Sequence, residues 1–103
     1  MTPPRYKIII LPPVRTEINN LYDYIAVELC APMAAEKYSR GIYDTIGKLA
    51  WLGGSIGVSL NENLQRQYGP GVRTIIYKNM SIIYNIRDDF IIVHSVKPGK
   101  NIK

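Results

Sequence analysis

The chain is poor in the side chains that bind metals or form disulfides. Its 103 residues include one cysteine, Cys30, and one histidine, His94. A single thiol cannot form an internal disulfide, and one cysteine with one histidine cannot supply the ligands of a structural zinc site. We therefore expect no metal and no cofactor. Cys30 is expected to be a buried, unreactive thiol.

Long apolar runs are also missing. No stretch approaches the ~20 apolar residues of a membrane-spanning helix, and residues 1–5 lack the apolar segment of a signal peptide. These absences argue against a membrane partner and predict a cytoplasmic protein.

The chain does contain enough apolar side chains for one core. Hydrophobic residues make up 47% of it and charged residues 20%, a mixture typical of a folded domain rather than of a disordered segment. A length of 103 residues leaves room for one core. We expect a single domain spanning residues 1–103.

The net charge of +5 is confined to the C-terminal part of the chain. Up to residue 63, six basic and six acidic side chains cancel, whereas the remainder has seven basic and two acidic ones. A basic region of this kind suits an anionic partner, either nucleic acid or an acidic protein segment, although it also favours solubility.

The first half of the chain predicts a strand followed by two helices. Residues 6–11 are a β-branched apolar run that a pair of prolines ends. Helical spacing then predicts a first helix with Thr16 as its N-cap, ending near Cys30. A second helix is predicted from Pro32 to Leu52, before a pair of glycines. Two helices joined by so short a break predict an antiparallel hairpin.

The second half predicts a loop and a meander. Residues 53–71 contain five glycines and show no period, so we expect a long irregular connection. Three β-prone runs follow, residues 72–78, 80–87 and 90–96, and turn residues separate them. The predicted element order is β-α-α-β-β-β, an α+β fold with a helical hairpin packed on an antiparallel sheet.

Four short motifs accompany this order. They are Tyr6-Lys7-Ile8-Ile9, Leu21-Tyr22-Asp23-Tyr24-Ile25, Gly71-Val72-Arg73 and Met80-Ser81-Ile82-Ile83-Tyr84-Asn85-Ile86. In their order and in the elements that carry them, these motifs resemble the RelE/ParE family of toxins over nearly the whole chain, and the ParE branch more closely.

The resemblance implies the toxin of a type II toxin–antitoxin pair, of the plasmid stabilisation type, silenced by an antitoxin encoded beside it. ParE members poison DNA gyrase, whereas nuclease members cut messenger RNA on the ribosome. The branches share a fold, so the fold cannot choose between them. We favour a gyrase-directed toxin. The alternatives are a ribosome-dependent messenger RNA endoribonuclease and a non-toxic member that only binds its antitoxin.

The side chains that RNA cleavage requires are scarce. The third-strand position that is an arginine in nuclease members is Ser81 here, which can neither hold a charge nor contact a phosphate in bidentate fashion. His94 lies inside a strand and does not align with the histidine that follows the last strand in the family, where this chain has Pro98. We expect His94 in the core or on a sheet face, and we expect inhibition by binding rather than by catalysis.

Four cations are candidates for toxicity or target binding: Arg73, Lys97, Lys100 and Arg87. Arg73 stands in the Gly-x-Arg motif, but it could equally anchor the loop or pair with Asp44 or Glu62. The two lysines keep the positive charge of the family's basic stretch after the last strand. Arg87 flanks a turn and is also explained as a solvated turn residue.

Antitoxin-binding candidates lie on the apolar stripes of the two helices: Leu21, Tyr22, Ile25, Tyr38 and Ile42. An amphipathic antitoxin segment would lay apolar anchors along the hairpin and acidic residues near the basic strands. The aromatic residues of the helices, Trp51 and the tyrosines at positions 22, 24, 38 and 43, are expected in the core rather than as platforms for base stacking.

Overall fold

The computed structural model describes residues 5–99 and contains a four-stranded sheet with helices on both faces. The elements are β1 (Lys7–Ile10), α1 (Pro12–Asp23), α2 (Pro32–Leu52), α3 (Glu62–Tyr68), β2 (Arg73–Tyr77), β3 (Met80–Arg87) and β4 (Phe90–Pro98). A π-helical turn, Tyr24–Glu28, follows α1, and a 3-10 turn, Gly53–Ser55, follows α2. The α+β class and the helical hairpin are as predicted, with one additional helix.

The strands lie in the order β1-β4-β3-β2. β2, β3 and β4 form the predicted antiparallel meander, and β1 adds to β4 in parallel, so the sheet is mixed. Lys78 and Asp88 open the two tight turns with φ of 53° and 54°, the left-handed conformation that two-residue hairpin loops require.

The main core lies between the helical hairpin and one face of the sheet. Its fully buried members include Val14, Ile18, Ile42, Ile46, Leu49, Ile82, Tyr84, Ile91 and Val93. On the opposite face, Leu64 of α3 packs on Val72 and Ile83 in a smaller cluster. None of the helices described here is long and apolar enough to cross a membrane.

The first helix begins five residues earlier than predicted. Leu11 is its N-cap, prolines fill its first positions, and Thr16 lies exposed within the helix rather than at its cap. Proline lacks the N–H that a first helical turn leaves unpaired, and its fixed φ suits that turn. The proline pair therefore both ends β1 and starts α1. The predicted bounds of the second helix are confirmed.

The predicted irregular connection was wrong in one stretch, because it contains α3. Asn61 caps this helix by accepting a hydrogen bond from the Leu64 N–H at 3.1 Å. Glu62 lies in the first turn, and Gly69 ends the helix with a φ of 102°. These are standard start and stop signals, but seven residues with one buried anchor are too few to produce a visible period.

Three side chains expected in the interior are exposed. Trp51 is 53% exposed and Tyr24 54% exposed, and Cys30 is an exposed thiol at the hairpin corner. Trp51 lies about 200° around the helix from the buried Leu49, so it faces away from the sheet. The π-helical turn at Tyr24 rotates the apolar stripe away from the core. The other three helix tyrosines are half-buried.

Candidate functional site

The end of the sheet where β4 runs past β1 carries a groove of about 310 Å³, here called the α1–β4 groove. It is lined by Glu17, Asn20, Leu21, Met80, Val96, Lys97 and Pro98. An apolar floor thus lies beside one carboxylate and one ammonium group. The groove brings together Leu21 and Lys97, which the sequence analysis had assigned to two different partners.

Glu17 closes the open edge of β4 in this groove. β1 ends at Ile10, whereas β4 continues to Pro98, so the outer edge of the last β4 residues has no neighbouring strand. The Glu17 carboxylate accepts a hydrogen bond from the Val96 N–H at 3.0 Å and lies 2.8 Å and 3.0 Å from the Ser95 hydroxyl. The Glu17 carboxylate of α1 therefore accepts the backbone hydrogen bond that a neighbouring strand would otherwise accept.

Lys97 forms an ion pair with Glu17 at an Nζ–Oε2 distance of 3.4 Å. The lysine side chain is 43% exposed and that of Glu17 is 26% exposed. At this exposure solvent screens the attraction, so an incoming anion can compete with Glu17 for the ammonium group. Lys100, predicted to act with Lys97, lies outside the described residues.

Ser81 lies opposite Lys97 on the neighbouring strand. It is fully buried, and its hydroxyl donates a hydrogen bond to the carbonyl of Gly99. At this position nuclease members of the RelE/ParE family have an arginine that can bind phosphate. This chain has instead a small, uncharged side chain whose hydroxyl already donates a hydrogen bond. Ser81 is therefore also inaccessible to a ligand.

Arg73 holds the chain that leaves α2. Its guanidinium donates hydrogen bonds to the carbonyl of Ile56 and, at 3.3 Å, to that of Gly54. The buried hydroxyl of Tyr84 donates to the Gly53 carbonyl at 2.8 Å. We call Arg73 and Tyr84 the carbonyl clamp. Arg73 is half-buried, and these bonds fit the alternative that it anchors the loop. It pairs with neither Asp44 nor Glu62, since the described ion pairs do not include it.

Burial in the clamp raises the pKa of Tyr84 to about 12. Removing the hydroxyl from water disfavours the phenolate and is the largest cause. The nearby positive charge of Arg73 lowers the pKa, and Tyr6 raises it. The Tyr84 hydroxyl therefore stays protonated, and remains a donor, throughout the physiological pH range.

His94 lies on the sheet face that carries α3, as expected for a sheet-face histidine. Its ring stacks on Tyr68 with centroids 5.1 Å apart, and burial lowers its pKa. It lies at an irregularity in the β3–β4 register, where Ser95 pairs with Ile83 and Val93 with Tyr84. A histidine kept neutral in this way cannot serve as a cation for a phosphate.

Arg87 is exposed at the end of β3, beside the turn that it was predicted to flank. Groups of three or more His, Cys, Asp or Glu side chains that could bind a metal ion do not occur in the described part of the chain.

The sequence matches the family model of the ParE toxin of type II toxin–antitoxin systems, parDE, over residues 8–102. The chain belongs to the ParE toxin family. A solved chain of the chromosomal ParDE toxin–antitoxin system from P. aeruginosa has a similar fold, with a TM-score of 0.77 and 17% identity. The alignment covers 93% of this ParE toxin and 98% of that chain. No curated protein matches the sequence significantly.

The predicted antitoxin-binding residues of this ParE toxin differ in accessibility. Leu21, Tyr22 and Ile25 are half-buried. Tyr38 is also half-buried, and its ring contacts Tyr77 edge to face at 5.4 Å. Ile42 is completely buried in the core, so it offers no accessible surface to a partner in this structure. It faces the sheet, and the apolar stripe that sequence spacing detects is the buried side of the helix.

The hairpin corner exposes several apolar residues. Besides Tyr24, these are Val27, Leu29 and Met33, which are 68%, 56% and 86% exposed. A second groove of about 410 Å³ runs from Met33 along Glu36, Lys37 and Arg40 of α2. Leu29 falls at the helical spacing of the first helix, but the π-helical turn Tyr24–Glu28 turns this part of the stripe away from the core, so spacing alone does not show that it is exposed.

Proposed function

We propose that this ParE toxin inhibits growth by binding DNA gyrase, and that its cognate antitoxin silences it in the cytoplasm. The observation that carries the proposal is the state of Ser81. It is completely buried and donates its hydrogen bond to Gly99, at the position where nuclease members of the RelE/ParE family have an arginine. Inhibition by binding needs a surface and no such side chain.

The neighbouring side chains do not replace the missing arginine. Cleavage of RNA without a metal needs a base, an acid and a cation close to one phosphate. His94 is stacked on Tyr68, and the burial that lowers its pKa disfavours the imidazolium form that an acid or a cation needs. Arg73 is bonded to backbone carbonyls. Lys97 and Glu17 are paired with each other. Among the described residues, these side chains do not place a base, an acid and a cation close to one phosphate.

A supercoiling assay tests the gyrase proposal. Purified toxin is mixed with gyrase, ATP and relaxed plasmid, and the DNA products are resolved on a gel with and without protein denaturation. We expect loss of supercoiling, or linear DNA released on denaturation as the cleaved complex is trapped. Unimpaired supercoiling with toxin in large excess over gyrase contradicts the proposal.

Variants of the basic C-terminal end sharpen the assay. Lys97→Ala combined with Lys100→Ala should weaken inhibition without unfolding the domain, because the Lys97 side chain is 43% exposed and changes at partly exposed positions cost little stability. Lys37→Ala with Lys48→Ala removes the same charge from exposed positions of α2. Equal weakening in both pairs would assign the effect to net charge rather than to the C-terminal end.

The ribonuclease alternative makes a separate prediction. Toeprinting on ribosomes stalled with a defined messenger RNA should show no toxin-dependent cuts if the toxin acts by binding gyrase. Cuts in the A-site codon would overturn the proposal, and Lys97 would then be a phosphate ligand.

The α1–β4 groove is the surface that we assign to the antitoxin. The half-buried Leu21 supplies an apolar contact beside the nearly buried Met80 and Val96, and Lys97 offers a partner for an acidic side chain. An amphipathic segment that orders on binding fits this combination. Its association rate should fall as salt rises, because the excess positive charge steers the encounter. Stopped-flow rates that do not change with salt contradict this electrostatic contribution.

Growth measurements separate a toxin from an inert family member. Induction without the antitoxin gene should arrest growth, and co-expression of the neighbouring gene should restore it. Normal growth with folded protein present would support the hypothesis of a non-toxic member that only binds its antitoxin.

A further inference from the structure

A row of three side chains crosses the sheet at the end opposite the α1–β4 groove. Lys7 of β1 pairs with Phe90 of β4, and Phe90 pairs with Arg87 of β3. Neighbouring strands lie about 4.8 Å apart. The Cα atoms of the two cations are therefore about 10 Å apart, with the aromatic side chain between them. We call these residues the Lys7–Phe90–Arg87 row.

The row lies on the sheet face away from the helical hairpin. Ile91 is completely buried in the main core, and successive side chains of a strand point to opposite faces, so Phe90 points to the other side. On that side α3 covers Ile83 but does not reach the row. Phe90 is 38% exposed, and Ile9 in the next row is 39% exposed.

Both cations of the row are free to bind an external anion. Among residues 5–99 the ion pairs are Arg40 with Glu36 and Lys97 with Glu17. Asp88 and Asp89 follow Arg87 in the turn, yet neither carboxylate lies within ion-pair distance of Lys7 or Arg87. The two cations are thus not neutralised by contact, and the aromatic side chain between them is 38% exposed.

We propose that the Lys7–Phe90–Arg87 row binds single-stranded nucleic acid. A base stacks on the exposed face of Phe90, and the two cations contact the phosphates on either side of it. Stacking on an aromatic side chain within a positively charged surface is the general chemistry of sequence-tolerant single-strand binding. A flat sheet face leaves room for the base plane, whereas an apolar peptide anchor needs a pocket. The inference does not rest on the identity of the toxin's target.

Fluorescence anisotropy tests the aromatic member of the row. Full-length toxin, made by cell-free synthesis to avoid growth arrest, is titrated into a fluorescein-labelled oligothymidylate of about twelve nucleotides. Phe90→Leu keeps an apolar side chain but removes the ring, and should weaken binding roughly 5- to 150-fold, as loss of one stacked base predicts. Phe90→Tyr keeps the ring and should bind as the wild type does.

The salt dependence of the same titration tests the cations. Replacing Lys7 and Arg87 by glutamine should make the log–log slope shallower by roughly 0.7 for each phosphate that a cation no longer neutralises. Lys37→Gln with Lys48→Gln makes the same charge change on α2 and should leave the slope unchanged. The proposal is overturned if the wild type does not bind at low salt. Wild-type affinity in Phe90→Leu, or an equal slope change in both double variants, also overturns it.

Discussion

Replacing Tyr84 by phenylalanine isolates one hydrogen bond of the carbonyl clamp. Tyr84 is completely buried, and its hydroxyl donates to the Gly53 carbonyl at 2.8 Å. Phenylalanine keeps the ring and its packing in the core and deletes one oxygen atom. The decrease in the free energy of unfolding therefore comes from the lost hydrogen bond and from the Gly53 carbonyl left without a donor. A cavity contributes little.

The size of the loss follows from the burial of the acceptor. Gly53 is buried, so water does not readily replace the lost donor, and an unsatisfied buried group costs ~1 to 3 kcal/mol. In a domain of this size each kcal/mol lowers Tm by roughly 4 to 8 °C. We expect Tyr84→Phe to lower Tm by about 4 to 24 °C. Because the pKa of Tyr84 is about 12, the loss should not vary between about pH 6 and 8.

Thermal unfolding followed by circular dichroism measures this loss. Tyr24→Phe is the matched control, because Tyr24 is 54% exposed and loss of its hydroxyl should stay within about 0.5 kcal/mol. If Tyr84→Phe and Tyr24→Phe unfold at the same temperature, the clamp does not stabilise the end of α2 and the reasoning is refuted.

The remaining predictions concern the clamp arginine, the histidine and the groove. Arg73→Ala should destabilise the fold by ~1 to 3 kcal/mol, because it removes the donor to the part-buried Ile56 carbonyl. Unchanged urea unfolding would show that Arg73 does not anchor the loop. Burial lowers the pKa of His94 from 6.5, so the folded state binds a proton less readily than the unfolded state. Its stabilising contribution is complete above the unfolded pKa and is lost as pH falls through 6.5 towards the folded pKa. His94→Asn should flatten the pH dependence of the unfolding free energy between about pH 7.5 and 5, and an unchanged profile argues against the burial effect. Lys97→Gln should slow antitoxin association at low salt, and Glu17→Gln, which frees the ammonium group, should accelerate it; stopped-flow changes in one direction for both variants contradict the proposed competition.

Sequence patterns predicted those elements whose ends are marked by residues with one conformational role. Pro32 and the glycines after Leu52 bound α2 at the predicted residues, and the turn residues between the last three strands fixed the meander. Pro12 was interpreted only as the end of a strand, although the same residue starts a helix. A residue with two compatible roles cannot be resolved by local preference alone.

The candidate site was predicted less well, because contacts across the fold determine it. The sequence alone shows that Ser81 is uncharged and that Lys97 is a cation. The hydrogen bonds of Glu17 to the edge of β4 exist because β4 extends beyond the end of β1. The sequence leaves Arg73 equally able to bind a target or to anchor the loop, and only the fold brings the carbonyls of residues 54 and 56 beside it. Ile42 and Met33 show the same limit, since helical spacing identifies a stripe without saying which apolar residues remain exposed.

The linking-number distribution of a reporter plasmid, sampled in the first minutes after toxin induction, tests the central claim most directly. Gyrase maintains negative supercoiling, so its inhibition should shift the topoisomers on a chloroquine gel towards relaxed or linear forms before transcripts decline. Co-expression of the antitoxin should abolish the shift. Growth arrest with an unchanged topoisomer distribution would contradict the account, and fragmented messenger RNA in the same culture would assign the toxin to the ribonuclease branch.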